Sequence, residues 1–359
     1  MWSSTKPVLL QVHAARKQVD EAKKEPVLQA RTSHARSGAV SRKRSGGRRF
    51  GTDFMLRATL AALAISITTV PAAQAIERTR LGFGNLFTND IVDGQADRWR
   101  TGSYASSRVW GPSWTGAAPG TFGHLIELRV HGEIITPENL RIPDADDRAY
   151  AGALSVGLHT HMQRGATEYA LGGDLVFVGP QTGLDSFQTE LHDLLGVTEP
   201  SDAVLAQQID NEIRPTLVAE AGRPIRLSDR STLRPFVEGR AGAETLARVG
   251  FDWTFGSLGQ GELLVRDPVA GQRYRAIPQD WTGYSFTLGA DIAYVDSSVF
   301  LPDDRGPALD QTRERLRAGV TWQGETGVSS FAGITYLGEE FEGQDEGQFV
   351  GSIKIRLGF

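Results

Sequence analysis

The sequence predicts a transmembrane, antiparallel up-and-down β-barrel of about 12 strands, with a short helical loop on its extracellular side. Three observations predict it: an amphipathic strand at the C-terminal end, a signal-peptide pattern over 55–75, and strand-like alternation throughout 76–359. No second apolar run of about 18 residues follows the signal pattern. Because every backbone polar group must be paired inside a bilayer, strands in a closed barrel are then the remaining way across.

The last strand alternates between apolar and polar side chains. Its apolar or small face, at every second position, comprises Phe349, Gly351, Ile353, Ile355, Leu357 and Phe359. The opposite face carries Lys354 and Arg356, as in a strand with one face on lipid. A half-buried strand of a soluble protein alternates in the same way, but the terminal aromatic resembles the mark that the barrel assembly machinery reads. We expect this strand to close the barrel against the first strand.

A signal peptide is predicted over 55–75. Met55-Leu56-Arg57 opens it, an apolar stretch follows to Pro71, and Ala73-Gln74-Ala75 offers a small-x-small cleavage site. Cleavage after Ala75 would send 76–359 through the periplasm to a Gram-negative outer membrane; an uncleaved anchor is the alternative. Residues 1–54 are predicted to be a disordered basic extension, upstream of a true start at Met55.

Composition narrows the possible partners. Residues 76–359 hold 39 acidic and 25 basic residues, a balance that argues against a nucleic-acid partner. The chain has no cysteine, which fits passage through an oxidising periplasm and excludes a thiolate metal site or a cysteine nucleophile. We expect a monomer surrounded by outer-membrane lipids.

Alternating segments separated by turn-forming residues give the strand count. The twelve candidate strands are 79–90, 101–110, 123–136, 148–162, 167–178, 213–222, 232–245, 247–256, 282–296, 312–322, 327–337 and 347–359. Long connections at 137–147, 179–212, 257–281 and 297–311 are predicted to be extracellular loops, because periplasmic turns are short in such barrels. Within 179–212, Phe187, Leu191 and Leu194 recur at helical spacing.

Histidines are the first candidates for chemistry. His159 and His161 share one face of a predicted strand, where they would bind a metal or, more ordinarily, line the lumen. His192 lies on the predicted loop helix, with Gln188 four residues earlier on the same helix face. A solvated residue is the ordinary interpretation of a lone loop histidine.

Several different short motifs follow one another along the chain. They are Phe87-Thr88-Asn89-Asp90, Asp97-Arg98-Trp99-Arg100-Thr101-Gly102-Ser103, Ile135-Thr136-Pro137 followed by Asp147-Arg148-Ala149-Tyr150-Ala151-Gly152, Val178-Gly179-Pro180, Gln188 with His192 and Gly196, and Gln208-Ile209 with Asn211-Glu212. In this order and spacing they resemble the lipid A 3′-O-deacylase (LpxR) family of outer-membrane enzymes. The resemblance covers nearly all of 76–359 and implies a twelve-stranded barrel.

The resemblance also implies an activity: a calcium-dependent ester hydrolase that removes the 3′-linked acyloxyacyl group from lipid A of the outer leaflet. The family's active-site positions fall on Asn89, Asp90, Thr101, Gln188 and His192. His192 would act as general base on water, Asp90 would bind Ca²⁺, and the other three would hold the water or the oxyanion. No Gly-x-Ser-x-Gly nucleophile motif is present in the sequence.

Two positions depart from the family pattern. Ile142 stands where the family has lysine, and the neighbouring Arg141 is our candidate for binding a lipid A phosphate. Thr198 stands where the family has glutamate, and the next residue, Glu199, is our second candidate calcium ligand. Two other functions remain open: an outer-leaflet phospholipase-like esterase, and a non-catalytic structural or pore-forming barrel.

Overall fold

The structure is a computed structural model that describes residues 77–90 and 97–357. The predictions for the basic extension, the signal peptide, its cleavage after Ala75, and Phe359 lie outside these residues.

Strands dominate the described part of the chain. They are β1 Thr79–Asn89, β2 Trp99–Gly111, β3 Leu125–Thr136, β4 Ala151–Arg164, β5 Thr167–Val178, β6 Glu212–Gly222, β7 Ile225–Ser228, β8 Ser231–Ala241, β9 Glu244–Phe255, β10 Leu263–Arg266, β11 Arg273–Ile277, β12 Gly283–Ser298, β13 Thr312–Gln323, β14 Ser329–Leu337 and β15 Gln348–Arg356. Two α-helices, α1 Leu184–Leu195 and α2 Asp202–Leu205, and a 3₁₀ turn at Pro180–Thr182 lie between β5 and β6. No helix in the described ranges is long and apolar enough to cross a membrane.

Twelve of these strands close into an antiparallel barrel, which confirms the predicted fold class and strand count. Each barrel strand pairs with the next barrel strand along the chain, so β6 pairs with β8 and β9 pairs with β12. The short β7 continues β6 along the same edge of β8. The barrel closes where β1 meets β15, with Phe87 opposite Ile353 and Asn89 opposite Gly351. The predicted pairing of the last strand with the first is therefore confirmed.

The barrel wall is apolar outside and charged inside. Side chains such as Leu158, Leu217 and Phe286 alternate outward and remain exposed, as a lipid-facing band requires. The lumen holds ion pairs instead; Arg266, for example, contacts Asp252 at 2.8 Å. Hydrogen-bonded pairing keeps buried charges tolerable where a lone charge would be strongly unfavourable.

The prediction for 257–281 was wrong. This connection joins β9 to β12 at the end of the barrel opposite α1, and it folds into the lumen as the β10–β11 hairpin. Every residue of Leu263–Arg266 is buried, and Ala270 at the hairpin tip packs against Leu337 and Val350. Length alone suggested an exposed loop, but alternating apolar side chains let the segment pair with itself inside the barrel.

Candidate active site

Helix α1 carries two of the predicted site residues on its buried face. Gln188 and His192 are its buried residues, one helical turn apart, whereas Phe187 and Leu194 on the same helix are 56% and 81% exposed. The helix therefore turns its polar stripe toward the barrel wall and its apolar stripe away from it. A surface helix of a soluble protein has the opposite orientation, with its apolar stripe packed inward and its polar stripe toward solvent.

His192 is held at both ring nitrogens. Nδ1 lies 2.6 Å from the backbone oxygen of Thr198, and Nε2 lies 2.6 Å from Oδ2 of Asp97. Because a carbonyl oxygen can only accept, Nδ1 must carry a proton. In the neutral ring Nε2 therefore carries the lone pair, and once the ring is protonated Nε2 donates to the Asp97 carboxylate. Asp97 and His192 thus form a dyad in which the carboxylate faces the ring nitrogen that can take a proton.

A chain of hydrogen bonds extends from this dyad toward β4. Gln188 donates through Nε2 to the same Oδ2 of Asp97, at 3.4 Å, and its Oε1 accepts from the Tyr150 hydroxyl at 2.9 Å. Burial, reinforced by the negative charges of Asp185 and Asp97, raises the pKa of Tyr150. Tyr150 therefore keeps its proton and fixes which way the Gln188 amide points.

Asp90 follows directly on β1 and is almost fully buried. Its Oδ2 accepts from the backbone N–H of Arg98 at 3.1 Å, and the Thr101 hydroxyl also donates to it. Burial, with a smaller contribution from the negative charge of Asp97, raises the pKa of Asp90 to about 7. The negative charge of Asp97 beside the buried Asp90 carboxylate favours a cation between the two side chains.

Among the remaining predicted residues, Asn89 is linked to this site through Thr101. Asn89 donates through Nδ2 to the backbone oxygen of Thr101 at 2.9 Å and so ties the end of β1 to β2. Arg141 is exposed; its backbone oxygen accepts from the Ser201 hydroxyl at 2.8 Å. Glu199 is half-buried in the segment after α1. No group of three His, Cys, Asp or Glu side chains within 77–90 and 97–357 is arranged to hold a metal by itself.

The backbone beside Asp97 is strained. Trp99 has a φ of 53°, the left-handed region, and no other non-glycine residue of the described chain has a positive φ. Its ring is buried against Leu301 and Phe341, and the ring of Phe341 meets it edge-on at 6.5 Å. Such strain costs about 1–3 kcal/mol and persists where packing over-determines it. Here the packing fixes the path of the chain that carries Asp97.

The comparisons with known proteins agree with this architecture. A family model described as "Outer membrane protein LpxR" matches residues 59–359. The chain belongs to the LpxR family. This family member is therefore an outer-membrane protein, as the sequence predicted.

Solved structures support the same fold. LpxR from Salmonella typhimurium is 18% identical to this family member, with a TM-score of 0.63, and the match covers 77% of this chain and 100% of that one. The β domain of the Bordetella autotransporter BrkA (12% identity, TM-score 0.33, 78% and 99% covered) and the P. putida toluene transporter TodX (11%, 0.25, 78% and 88%) are much less similar. No curated protein sequence gives a significant match.

Sequence reasoning missed two residues of this family member's site. Asp97 and Tyr150 stand in the quoted motifs, yet only the structure shows that one contacts His192 and the other Gln188. The signal was present: each stands in a quoted motif block just before a strand begins, Asp97 before β2 and Tyr150 before β4. His159 and His161, by contrast, pair with separate lumen carboxylates, Asp174 and Glu127.

Proposed function

We propose that this LpxR-family protein is an outer-membrane lipid A deacylase, which hydrolyses the ester of the 3′-linked acyloxyacyl group. The observation that carries the proposal is the dyad of buried His192 and half-buried Asp97 at the end of the barrel wall, where the helix that carries His192 turns its apolar face outward. An ester hydrolase needs a positioned base, and a lipid substrate needs an apolar approach to it. Family membership supplies the substrate class.

His192 acts as the general base in this proposal. Nδ1 keeps its proton on Thr198, so Nε2 is the nitrogen that takes a proton from water as the oxygen attacks the ester carbonyl carbon. Asp97 then faces the imidazolium that forms and stabilises its charge. On collapse of the tetrahedral intermediate, Nε2 returns the proton to the departing sugar oxygen. The products are the released acyloxyacyl group as a free carboxylic acid and the 3′-hydroxyl.

Calcium is the proposed cofactor, and the site offers suitable oxygens. Ca²⁺ prefers carboxylate, hydroxyl and carbonyl oxygens in irregular sets, and it does not require three protein carboxylates. Asp90 and Asp97 are the carboxylates that would hold it, with Thr101 beside them; Glu199 stays a predicted further ligand. When bound, the ion would polarise the ester carbonyl.

The polar neighbours have complementary proposed roles. The amide of Gln188, oriented by Tyr150, and the side chain of Asn89 hold the attacking water or donate to the oxyanion. Arg141 is exposed on the extracellular loop and is the proposed partner of a lipid A phosphate. Exposed Phe187 and Leu194 on α1 would contact the acyl chains.

Two alternatives were open from the sequence. An open pore is disfavoured because the β10–β11 hairpin occupies the lumen, with Ala270 and Tyr274 buried against the wall. A phospholipase-like esterase would use the same dyad and differs only in substrate. Signal-peptide cleavage, recognition by the barrel assembly machinery and the monomeric state remain predictions.

Lipid mass spectrometry tests the proposal. The full chain is expressed in cells that make unmodified lipid A, and the extracted lipid is analysed for loss of the 3′-linked acyl chains. We expect loss with the native chain and none with His192→Ala or after calcium chelation. His124→Ala, at a half-buried position between β2 and β3, is the matched control and should leave the activity intact. Unchanged lipid A from a folded barrel would contradict the proposal, and release of fatty acid from phospholipid alone would favour the alternative esterase.

A further inference from the structure

The barrel is paired over only part of its closing seam. β1 forms ten residue pairs with β2, and β15 forms nine with β14, but β1 and β15 form three with each other. The pairing ends at Phe87 and Ile353. From there to the end of the barrel opposite α1, no pair between these two strands is present among the described residues.

A cavity of about 600 Å³ opens where the pairing stops. Its lining includes Phe83 and Ile355, which are exposed on the outer face, and Gly82 and Lys354, which belong to the lumen face. Pro278, just after the inner hairpin, completes it. Because one cavity is lined by both faces of the wall, it passes between the two strands. The seam is therefore open sideways toward the bilayer.

The inner hairpin closes this opening from the lumen side. A Cβ at Gly82 would stand 2.1 Å from the backbone oxygen of Ala276, and one at Gly84 would stand 2.5 Å from that of Arg275. β11 thus lies directly against β1 with no space for intervening side chains. Access to the cavity is from the membrane and not from the lumen.

The cavity is cationic. Its charged lining residues are Arg80, Lys354 and Arg356, and no carboxylate of residues 77–90 or 97–357 lines it. Neither arginine forms an ion pair with a carboxylate of the described chain, and Lys354 donates to the backbone oxygen of Arg275 at 3.0 Å. The nearby Glu262 is already engaged by the Arg275 guanidinium, with Nε to Oε1 at 2.7 Å.

We propose that this seam cavity binds the phosphate headgroup of an anionic phospholipid from the periplasmic leaflet. An unpaired strand edge facing lipid is strongly unfavourable unless its polar groups are satisfied. Phosphate oxygens accept from Lys354, Arg356 and the free backbone edge, while the acyl chains lie along Phe83 and Ile355. The alternative, cations that simply reach to the interface, would bind no particular lipid. The inference rests on location in the outer membrane and is independent of ester hydrolysis.

Native mass spectrometry of the purified full barrel, titrated with phosphatidylglycerol or phosphatidylcholine, tests this site. We expect the native chain to retain phosphatidylglycerol preferentially, and Lys354→Gln/Arg356→Gln to bind it about tenfold or more weakly, since charge-assisted hydrogen bonds are lost. Lys354→Arg should keep the preference. The matched control is Arg226→Gln, an exposed cation on β7, across the barrel but at the same end.

Several outcomes would overturn the proposal. Equal retention of the two lipids, an unchanged preference in the double variant, or the same loss in Arg226→Gln would each do so. Folding is checked by heat-modifiable migration on a gel. If the double variant does not fold, Arg80→Gln and Arg356→Gln, both at exposed positions, serve separately and should each weaken the preference.

Discussion

Replacing Asp97 by asparagine removes a charge from the dyad while preserving its shape. The carboxylate lies 2.6 Å from Nε2 of His192, and its side chain is 26% exposed against 7% for the histidine. Asparagine can donate its amide N–H to Nε2, which would occupy the lone pair that must accept the proton from water. It also removes the negative charge that stabilises the imidazolium.

The size of the effect follows from these two losses. A hydrogen bond to a charged group contributes about 1.5–3 kcal/mol, or about 10- to 100-fold in rate if it is made only in the transition state. Loss of general-base function altogether would account for about 10²- to 10⁴-fold. We therefore expect Asp97→Asn to lower kcat by at least about tenfold and by no more than about 10⁴-fold.

Initial rates of acyl release from lipid A in mixed micelles measure this change. Asp193→Asn is the matched control, because it makes the same substitution at an exposed position of α1 next to His192. A double-mutant cycle with His192→Ala adds a second criterion: residues that act as one unit show strongly non-additive effects.

Two results would refute the reasoning. One is an Asp97→Asn rate within threefold of the native rate. The other is simple additivity of the Asp97→Asn and His192→Ala effects, which would mean that the two residues do not act together. A similar loss in Asp193→Asn would show that the helix and not the dyad had been disturbed.

Three further predictions concern the metal, the loop helix and the inner hairpin. Because the pKa of Asp90 is raised to about 7, its carboxylate is mostly protonated at pH 6 and mostly charged at pH 8. Ca²⁺ affinity measured by calorimetry should therefore increase from pH 6 to pH 8. A flat profile would exclude Asp90 as a ligand. Gly152→Ala places a Cβ 2.6 Å from Oγ1 of Thr182 and should displace the start of α1, reducing activity about tenfold or more with the barrel still folded; a native rate would contradict this. Gly82→Ala collides with the backbone of Ala276 and should lower the free energy of unfolding by about 1–3 kcal/mol in urea titrations, whereas an unchanged midpoint would mean that the hairpin is free to move.

The strand pattern was predictable because a lipid-facing barrel imposes period-two alternation on every strand. Twelve segments were expected and twelve strands close the barrel. The inner hairpin was not predictable, since Leu263–Arg266 and Arg273–Ile277 are short and their burial depends on a lumen that exists only after closure. The length of the 257–281 connection showed that it is not a tight turn, but it did not show at which end of the barrel this connection lies.

Within the candidate site, the sequence predicted which residues share a helix face, but it did not predict contacts between distant segments. Gln188 and His192 were expected on one helix face because residues four apart in a helix are neighbours, and the structure places them there. Asp97 and Tyr150 were not singled out, because their contacts join segments 95 and 38 residues apart in the chain.

By itself, the sequence determined the period of its strands, the apolar band they present to lipid, and the helix that carries His192. These are local properties, set by the alternation of side chains and by helical spacing. The tertiary structure alone decided that Asp97 meets His192, that a hairpin fills the lumen, and that β1 and β15 separate beside Lys354. Such features depend on contacts between distant segments, and those contacts are fixed only when the barrel closes.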